Sequence, residues 1–246
     1  MKTFGIIIII VLILFLMYVL FFINQNDKKI HKYSEIKDKM KTGDVLLFSC
    51  KTHPTLFNHI QYYVRTNLLG SEFGHVGVVI RDKDELYFVE CTDVNHTGDS
   101  MAKRLNNYGK GGVRIIKLDY LLEKYHKKYN GIFGIRFISR EISNKMIFRE
   151  IGKFKDKIFE NKTKLLFLGF VDICISHSLA SQLSNILSDN KRIMCSQYTH
   201  ELLYNCGAVD KYKSHLFWPH LFDDGNVFDH LQKISYSHTY KFVFDK

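Results

Sequence analysis

The chain has 246 residues, 46% of them hydrophobic and 14% aromatic, with only two prolines; this excludes a disordered or collagen-like chain and is enough for one domain with a packed core. The formal charge is +10, but the lysines stand singly among apolar residues with no dense arginine run, so nucleic acid is not the expected partner. Five cysteines, Cys50, Cys91, Cys174, Cys195 and Cys206, form an odd set with irregular spacing, which excludes a disulfide framework.

Phe4 to Ile23 carry no charge and are almost entirely Ile, Leu, Val, Phe and Met. Twenty helical residues at about 1.5 Å each match a hydrocarbon core of about 30 Å. Asn24-Gln25-Asn26 offers no small-residue cleavage site, so residues 1–24 read as an uncleaved single-pass transmembrane anchor and not as a signal peptide. Lys28, Lys29, Lys32, Lys37, Lys39 and Lys41 follow it, and Lys2 alone precedes it. That asymmetry predicts a membrane location with the large domain on the cytoplasmic side. Residues 25–41 read as a juxtamembrane linker, solvated or resting on anionic headgroups. On that side the sequons at Asn95 and Asn161 are chance matches.

Residues 42–246 form the expected domain. Thr42-Gly43-Asp44 signals a turn, and Val45-Leu46-Leu47-Phe48 a buried strand. Leu56, Ile60, Tyr63, Val64 and Leu68 recur at helical spacing behind Pro54. Val76–Arg81 and Leu86–Cys91, joined at Asp82-Lys83-Asp84, predict a hairpin. Thr92 to Gly112 is a long, glycine-bearing loop, Val113–Leu118 a strand, Asp119–Lys128 a helix and Gly131–Ile138 a strand. A helical insertion is expected over about 142–191, with an amphipathic helix over 142–160 and a more apolar one over 165–187, broken near Gly169. Asp172, Ser176, His177, Ser178 and Gln182 argue against a second membrane span there. Cys195–Cys206 reads as a helix, Trp218-Pro219 as a turn and Tyr240–Phe244 as a closing strand.

Three residue types in this order carry the chemistry. His75 opens an apolar strand, Glu90 lies on its hairpin partner, and Cys195 opens a helix. A cysteine attacks as its thiolate, which a helix N-terminus and a nearby imidazolium both favour. Cys195 as nucleophile, His75 as base and Glu90 as the group orienting the imidazole would make a cysteine-nucleophile site, with the Cys195 N–H helping an oxyanion. The hairpin puts Glu90 across or diagonal from His75. Rivals are His200 as base, and a metal cluster of Cys50, His53, Cys91 and His96, for which no second pair has zinc-ligand spacing. The favoured chemistry needs no metal or cofactor.

Gly43-Asp44-Val45-Leu46-Leu47-Phe48, Gly74-His75-Val76-Gly77-Val78-Val79, Val89-Glu90, Cys195-Ser196-Gln197 and Trp218-Pro219-His220-Leu221-Phe222, in that order, resemble the circularly permuted NlpC/P60 papain-like family, and more narrowly its YiiX/YaeF-type amidases and their poxvirus relatives. The resemblance covers about residues 41–246. It implies an α+β fold in which an antiparallel sheet is packed with helices, here preceded by one N-terminal transmembrane helix. It also implies a thiol hydrolase or acyltransferase acting on an amide or ester bond of a peptide or lipid-acyl substrate, through Cys195, His75 and Glu90. Gly74 replaces the small or hydroxyl residue common before the histidine, and Gln197 the frequent acidic residue after Cys-Ser. Two other readings stay open: an inactive papain-like module that binds lipid or protein, and a membrane-tethered structural protein, such as a viral one.

Overall fold

Val45-Leu46-Leu47-Phe48 is apolar at every position because both of its faces are covered. Val45 and Leu47 point into one hydrophobic cluster, Leu46 and Phe48 into another. Val76, Val78 and Ile80 against Val79 divide the same way one strand over, following the period-two alternation of a pleated strand. The computed structural model describes residues 29–49, 66, 71–92, 111–212 and 216–245.

In chain order the described elements are β1 (Ile30–Lys32), α1 (Tyr33–Ile36), a 3-10 turn (Lys37–Lys39), β2 (Val45–Ser49), β3 (His75–Asp82), β4 (Glu85–Thr92), β5 (Gly112–Lys117), α2 (Leu118–Tyr129) and β6 (Ile132–Arg136). Then come α3 (Asn144–Gly152), β7 (Ile158–Phe159), α4 (Lys162–Cys174), α5 (His177–Ile186), β8 (Arg192–Ile193), α6 (Cys195–Asn205), a 3-10 turn (Pro219–Phe222), α7 (Val227–Leu231) and β9 (Tyr240–Val243). Seven strands form one sheet in the order β1-β9-β6-β2-β3-β4-β5, and β7 pairs with β8 apart from it.

The fold is α+β. Ile147 and Ile151 of α3 and Tyr198 and Leu202 of α6 bury against one face of the sheet. Tyr33 of α1 and Leu118 and Leu122 of α2 bury against the other. Each such side chain contributes about 1.5–3 kcal/mol of burial. A third cluster, Leu168, Val171, Ala180, Met194 and Leu216, lies beneath the α4–α5 hairpin.

Buried polar groups tie the segments to this frame. Asp44 accepts from the N–H of Lys41 and of Ile138, both at 2.8 Å. Burial pushes its carboxyl up to about 7, although both hydrogen bonds favour the anion. The Arg136 guanidinium donates to the carbonyls of Ser237 and Phe222 and to Asp229, fastening the C-terminal segment to β6. At the sheet's edge, Asp245 accepts from the Ser34 N–H at 3.0 Å and from its hydroxyl at 2.6 Å.

Several expectations are corrected. The sheet is mixed rather than antiparallel, since β1 runs parallel to β9, and β7 and β8 are also parallel to each other. Among the described residues no helix is long and apolar enough to cross a membrane, so the single-pass anchor and the membrane location built on it are not supported; the stretch 4–23 that was to form the anchor lies outside the described residues. From Ile30 the expected linker is part of the domain: β1 joins the sheet, and Tyr33, Ile36 and Met40 are buried in its core. The helix expected over 142–160 ends at Gly152 and is followed by β7. The apolar stretch 165–187 breaks at Ile175-Ser176 and not at Gly169; the Ser176 hydroxyl caps α5 by accepting the Leu179 N–H at 3.4 Å. The helix expected behind Pro54 and most of the loop 92–112 lie outside the described residues.

Gly77 shows how tightly the hairpin that carries the candidate site is packed. A Cβ there would meet the Phe88 ring and the Val89 carbonyl, and the carbonyl belongs to the paired backbone of β4. Gly77→Ala is expected to destabilise the domain by on the order of 3 kcal/mol, read as a lower urea midpoint with an unchanged slope.

Candidate active site

The nucleophile candidate stands at a strand-to-helix turn. β8 ends at Ile193, Met194 is extended (φ −90°, ψ 164°), and Cys195 is the first residue of α6. The first intrahelical bond runs from the Tyr198 N–H to the Met194 carbonyl at 2.9 Å, so the N–H groups of Cys195 and Ser196 lie ahead of it at the positive end of the helix dipole. Tyr198 and Leu202, on the inner side of α6, hold that helix to the first cluster, and the Phe154 ring packs edge-on at 5.0 Å from Tyr198.

His75 opens β3, and the β3–β4 pairing covers Val78–Asp82 on Glu85–Val89, so His75 lies just beyond it. Its contact with Glu90 is made through side chains: Nε2 meets Oε2 of Glu90. The ring also packs near Phe48 and Phe88, at 5.7 and 6.4 Å between centroids. Nδ1 is then the nitrogen left for the Cys195 sulfur, which lies close enough to act electrostatically on the ring. Burial pulls the imidazole's proton affinity down. The sulfur of Cys195 and the carboxylate of Glu90 outweigh it, so His75 holds its proton well above the ordinary imidazole range.

Glu90 is 2% exposed, an environment that would keep a lone carboxylate protonated. Arg114, 7% exposed and directly opposite on β5, donates from Nε to Oε1 at 2.6 Å and from Nη2 to the same oxygen. Burial acts to raise the carboxyl, but Arg114 and then His75 prevail and hold it well below the usual carboxylate range. One oxygen thus serves the imidazole and the other the guanidinium. Arg114 Nη1 is buried without a hydrogen-bond partner among the described residues.

The structure therefore brings Cys195, His75 and Glu90 together and adds Arg114, which sequence reasoning passed over. The available signal was a lone arginine inside the apolar run Val113-Arg114-Ile115-Ile116, one strand away from Glu90. His200 is not a rival base: its Nε2 bonds the Asp210 carbonyl at 3.0 Å, its ring stacks on Phe217, and burial lowers its proton affinity. Burial pushes the Cys206 thiol up to about 12, and the buried Cys91 donates to the Ile193 carbonyl at 3.4 Å. Cys50, His53 and His96, the other members of the weighed metal cluster, lie outside the described residues. Among the described residues no three His, Cys, Asp or Glu side chains gather as a metal site requires.

Beside the nucleophile, a cavity of about 190 Å³ runs between α6 and the α4–α5 hairpin. Met194, Gln197 and Glu201 form one wall, Lys164 and Leu168 another, and Arg192 closes the end. Cys195 itself is not part of the lining; its side chain belongs to the first cluster, whereas Met194 and Leu168, which line the cavity, belong to the third.

No family model matches the chain. It is 44% identical over 230 residues to the uncharacterized protein R372 of Acanthamoeba polyphaga mimivirus, a match that covers 92% of each chain. The chain belongs to the family of this mimivirus protein. Membership in the mimivirus protein's family brings no activity with it, and the chemistry rests on the geometry of Cys195, His75, Glu90 and Arg114.

That geometry sets a pH-dependent test of Arg114. Because the Glu90 carboxyl is held below its unfolded value, its ionised form stabilises the fold above about pH 4.5. That contribution fades as pH falls through the depressed folded value. Arg114→Met leaves the buried carboxylate short of a partner and is expected to cost about 3 kcal/mol at pH 7. The deficit should shrink toward pH 3 as Glu90 takes up its proton, and urea denaturation of both proteins at the two pH values measures it.

Proposed function

We propose that this protein is a cysteine hydrolase or acyltransferase that cleaves an amide or ester bond in a peptide or a lipid-acyl substrate. The reading rests on one observation: a histidine within electrostatic reach of a cysteine at a helix N-terminus and bonded through Nε2 to a buried, arginine-paired glutamate. The resemblance to permuted NlpC/P60 enzymes at the same three positions supports it.

In this mechanism Nδ1 of His75 takes the proton of Cys195, and the sulfur attacks the substrate carbonyl carbon. Negative charge develops on the carbonyl oxygen, where the Cys195 N–H and the start of α6 offer stabilisation. The tetrahedral species collapses with loss of an amine or alcohol, which carries away the proton held on His75. Water, or another acceptor, gives up a proton to His75, attacks the thioester and releases the acyl group, restoring the thiol. Glu90 fixes the ring through Nε2 and balances the imidazolium charge, and Arg114 holds Glu90 ionised for that role.

An electrophilic thiol probe tests the reading at pH 7. Labelling is expected to concentrate on Cys195 and to vanish in Cys195→Ser. In His75→Ala it should slow by roughly 100-fold or more, the scale of a lost general base. Glu90→Gln should fall between wild type and His75→Ala. Slow, even labelling of all five cysteines, unchanged in His75→Ala, would remove the enzyme and leave a binding module.

A further inference from the structure

An amphipathic surface helix keeps its apolar stripe inward and a polar face outward. α4 does not. Leu168 and Val171 turn inward into the third cluster, yet Leu166, Phe167 and Phe170 on the opposite side are apolar too and face outward. A helix that is apolar all round belongs in a fully covered setting. Ile175 at the tip of the hairpin and Leu179, Ile186 and Leu187 beyond it are exposed too, interspersed on α5 with the exposed polar side chains of Ser178, Gln182 and Asn185, and Ile186 is 76% exposed. Half-open side chains of this size make a patch on the order of 500 Å², at the upper end of what soluble monomers leave bare.

Charge around the patch indicates what covers it. From residue 165 to 188 the sole charged side chain is Asp172. It is committed internally, accepting from Trp218 Nε1 at 2.8 Å and meeting His177 Nδ1 at 2.7 Å. The two ends of the hairpin are basic: residues 153–164 and 189–192 hold seven lysines and arginines against three carboxylates, Asp156, Glu160 and Asp189. Lys155 and Lys191 are exposed, and the whole chain carries +10. An apolar face bordered by cations is the pattern of a helix lying in a membrane interface. A second copy of the chain would set these basic ends against each other across a twofold axis, whereas anionic headgroups would meet them with opposite charge.

We propose that the outer face of the α4–α5 hairpin docks on a lipid surface bearing anionic headgroups, lying within the interface without crossing it. This contact is independent of the proposed hydrolase chemistry. Met194 belongs to the cluster beneath the hairpin, so docking would hold the start of α6 one helix layer from the lipid.

Amide hydrogen exchange on the full chain tests it, with phosphatidylcholine vesicles and with phosphatidylcholine–phosphatidylserine vesicles. The readout is peptides covering residues 162–187, so lipid contacts made elsewhere in the chain do not enter it. Exchange there is expected to slow at least fivefold with the anionic vesicles and little with the neutral ones. Phe167→Ser/Phe170→Ser, at outward-facing sites, should abolish the slowing while exchange across residues 75–92 stays unchanged. Retained slowing in the double variant, equal slowing on neutral vesicles, or none on either overturns the proposal. Slowing without lipid that grows with protein concentration overturns it in favour of a second copy.

Discussion

The buried carboxylate of Glu90 governs what the rest of the candidate site can be. In an almost dry location it would carry a proton, and a neutral acid would give the imidazole no charge to lean on. Arg114 changes this by approaching from the neighbouring strand at the same register position. The sheet sets the ionisation state of Glu90, and Glu90 in turn sets the orientation of His75. With the thiolate–imidazolium pair formed, the four side chains carry two positive and two negative charges, a neutral group and thus far easier to bury than any of its members alone.

The two faces of the sheet divide the labour. The helix that carries Cys195 packs with the aliphatic side of β3 and β4, while the His75 ring sits among Phe48 and Phe88. Contact between them is made at the end of the strands, past the last paired residues of the hairpin. Gly77 is bare because the Phe88 ring lies where its side chain would be. The apolar packing is therefore the jig that holds the charged group together.

How legible this was in the sequence depended on the length scale of each signal. β2, β3, β4 and α6 were readable because their apolar runs are long and their breaks are sharp, and Cys195, His75 and Glu90 came with them. Arg114 was not, since a lone arginine among Val and Ile gives no sign of the carboxylate it will meet; only the strand register supplies that. β7 and β8 are two residues each, below any periodic pattern. Tyr33, Ile36 and Met40 do recur at helical steps, but the surrounding lysines made the stretch look like a spacer. In α4 and α5 the apolar composition hid the break at Ser176, because periodicity needs polar residues to contrast with. The mixed character of the sheet lies in β1, whose partner is some two hundred residues away.

That distant pairing ties the two extremes of the described chain into one clasp. β1 adds to the sheet only by way of β9, β9 reaches the body through β6, and Ser34 and Asp245 close the loop between them. Fraying at either extreme therefore propagates to the other: without the last strand there is no edge for the first to join, and the Tyr33 ring loses its stacking partner Phe242. The two ends of the described chain form a single unit of local stability, and proteolysis near residue 240 would unseal a surface that begins near residue 30.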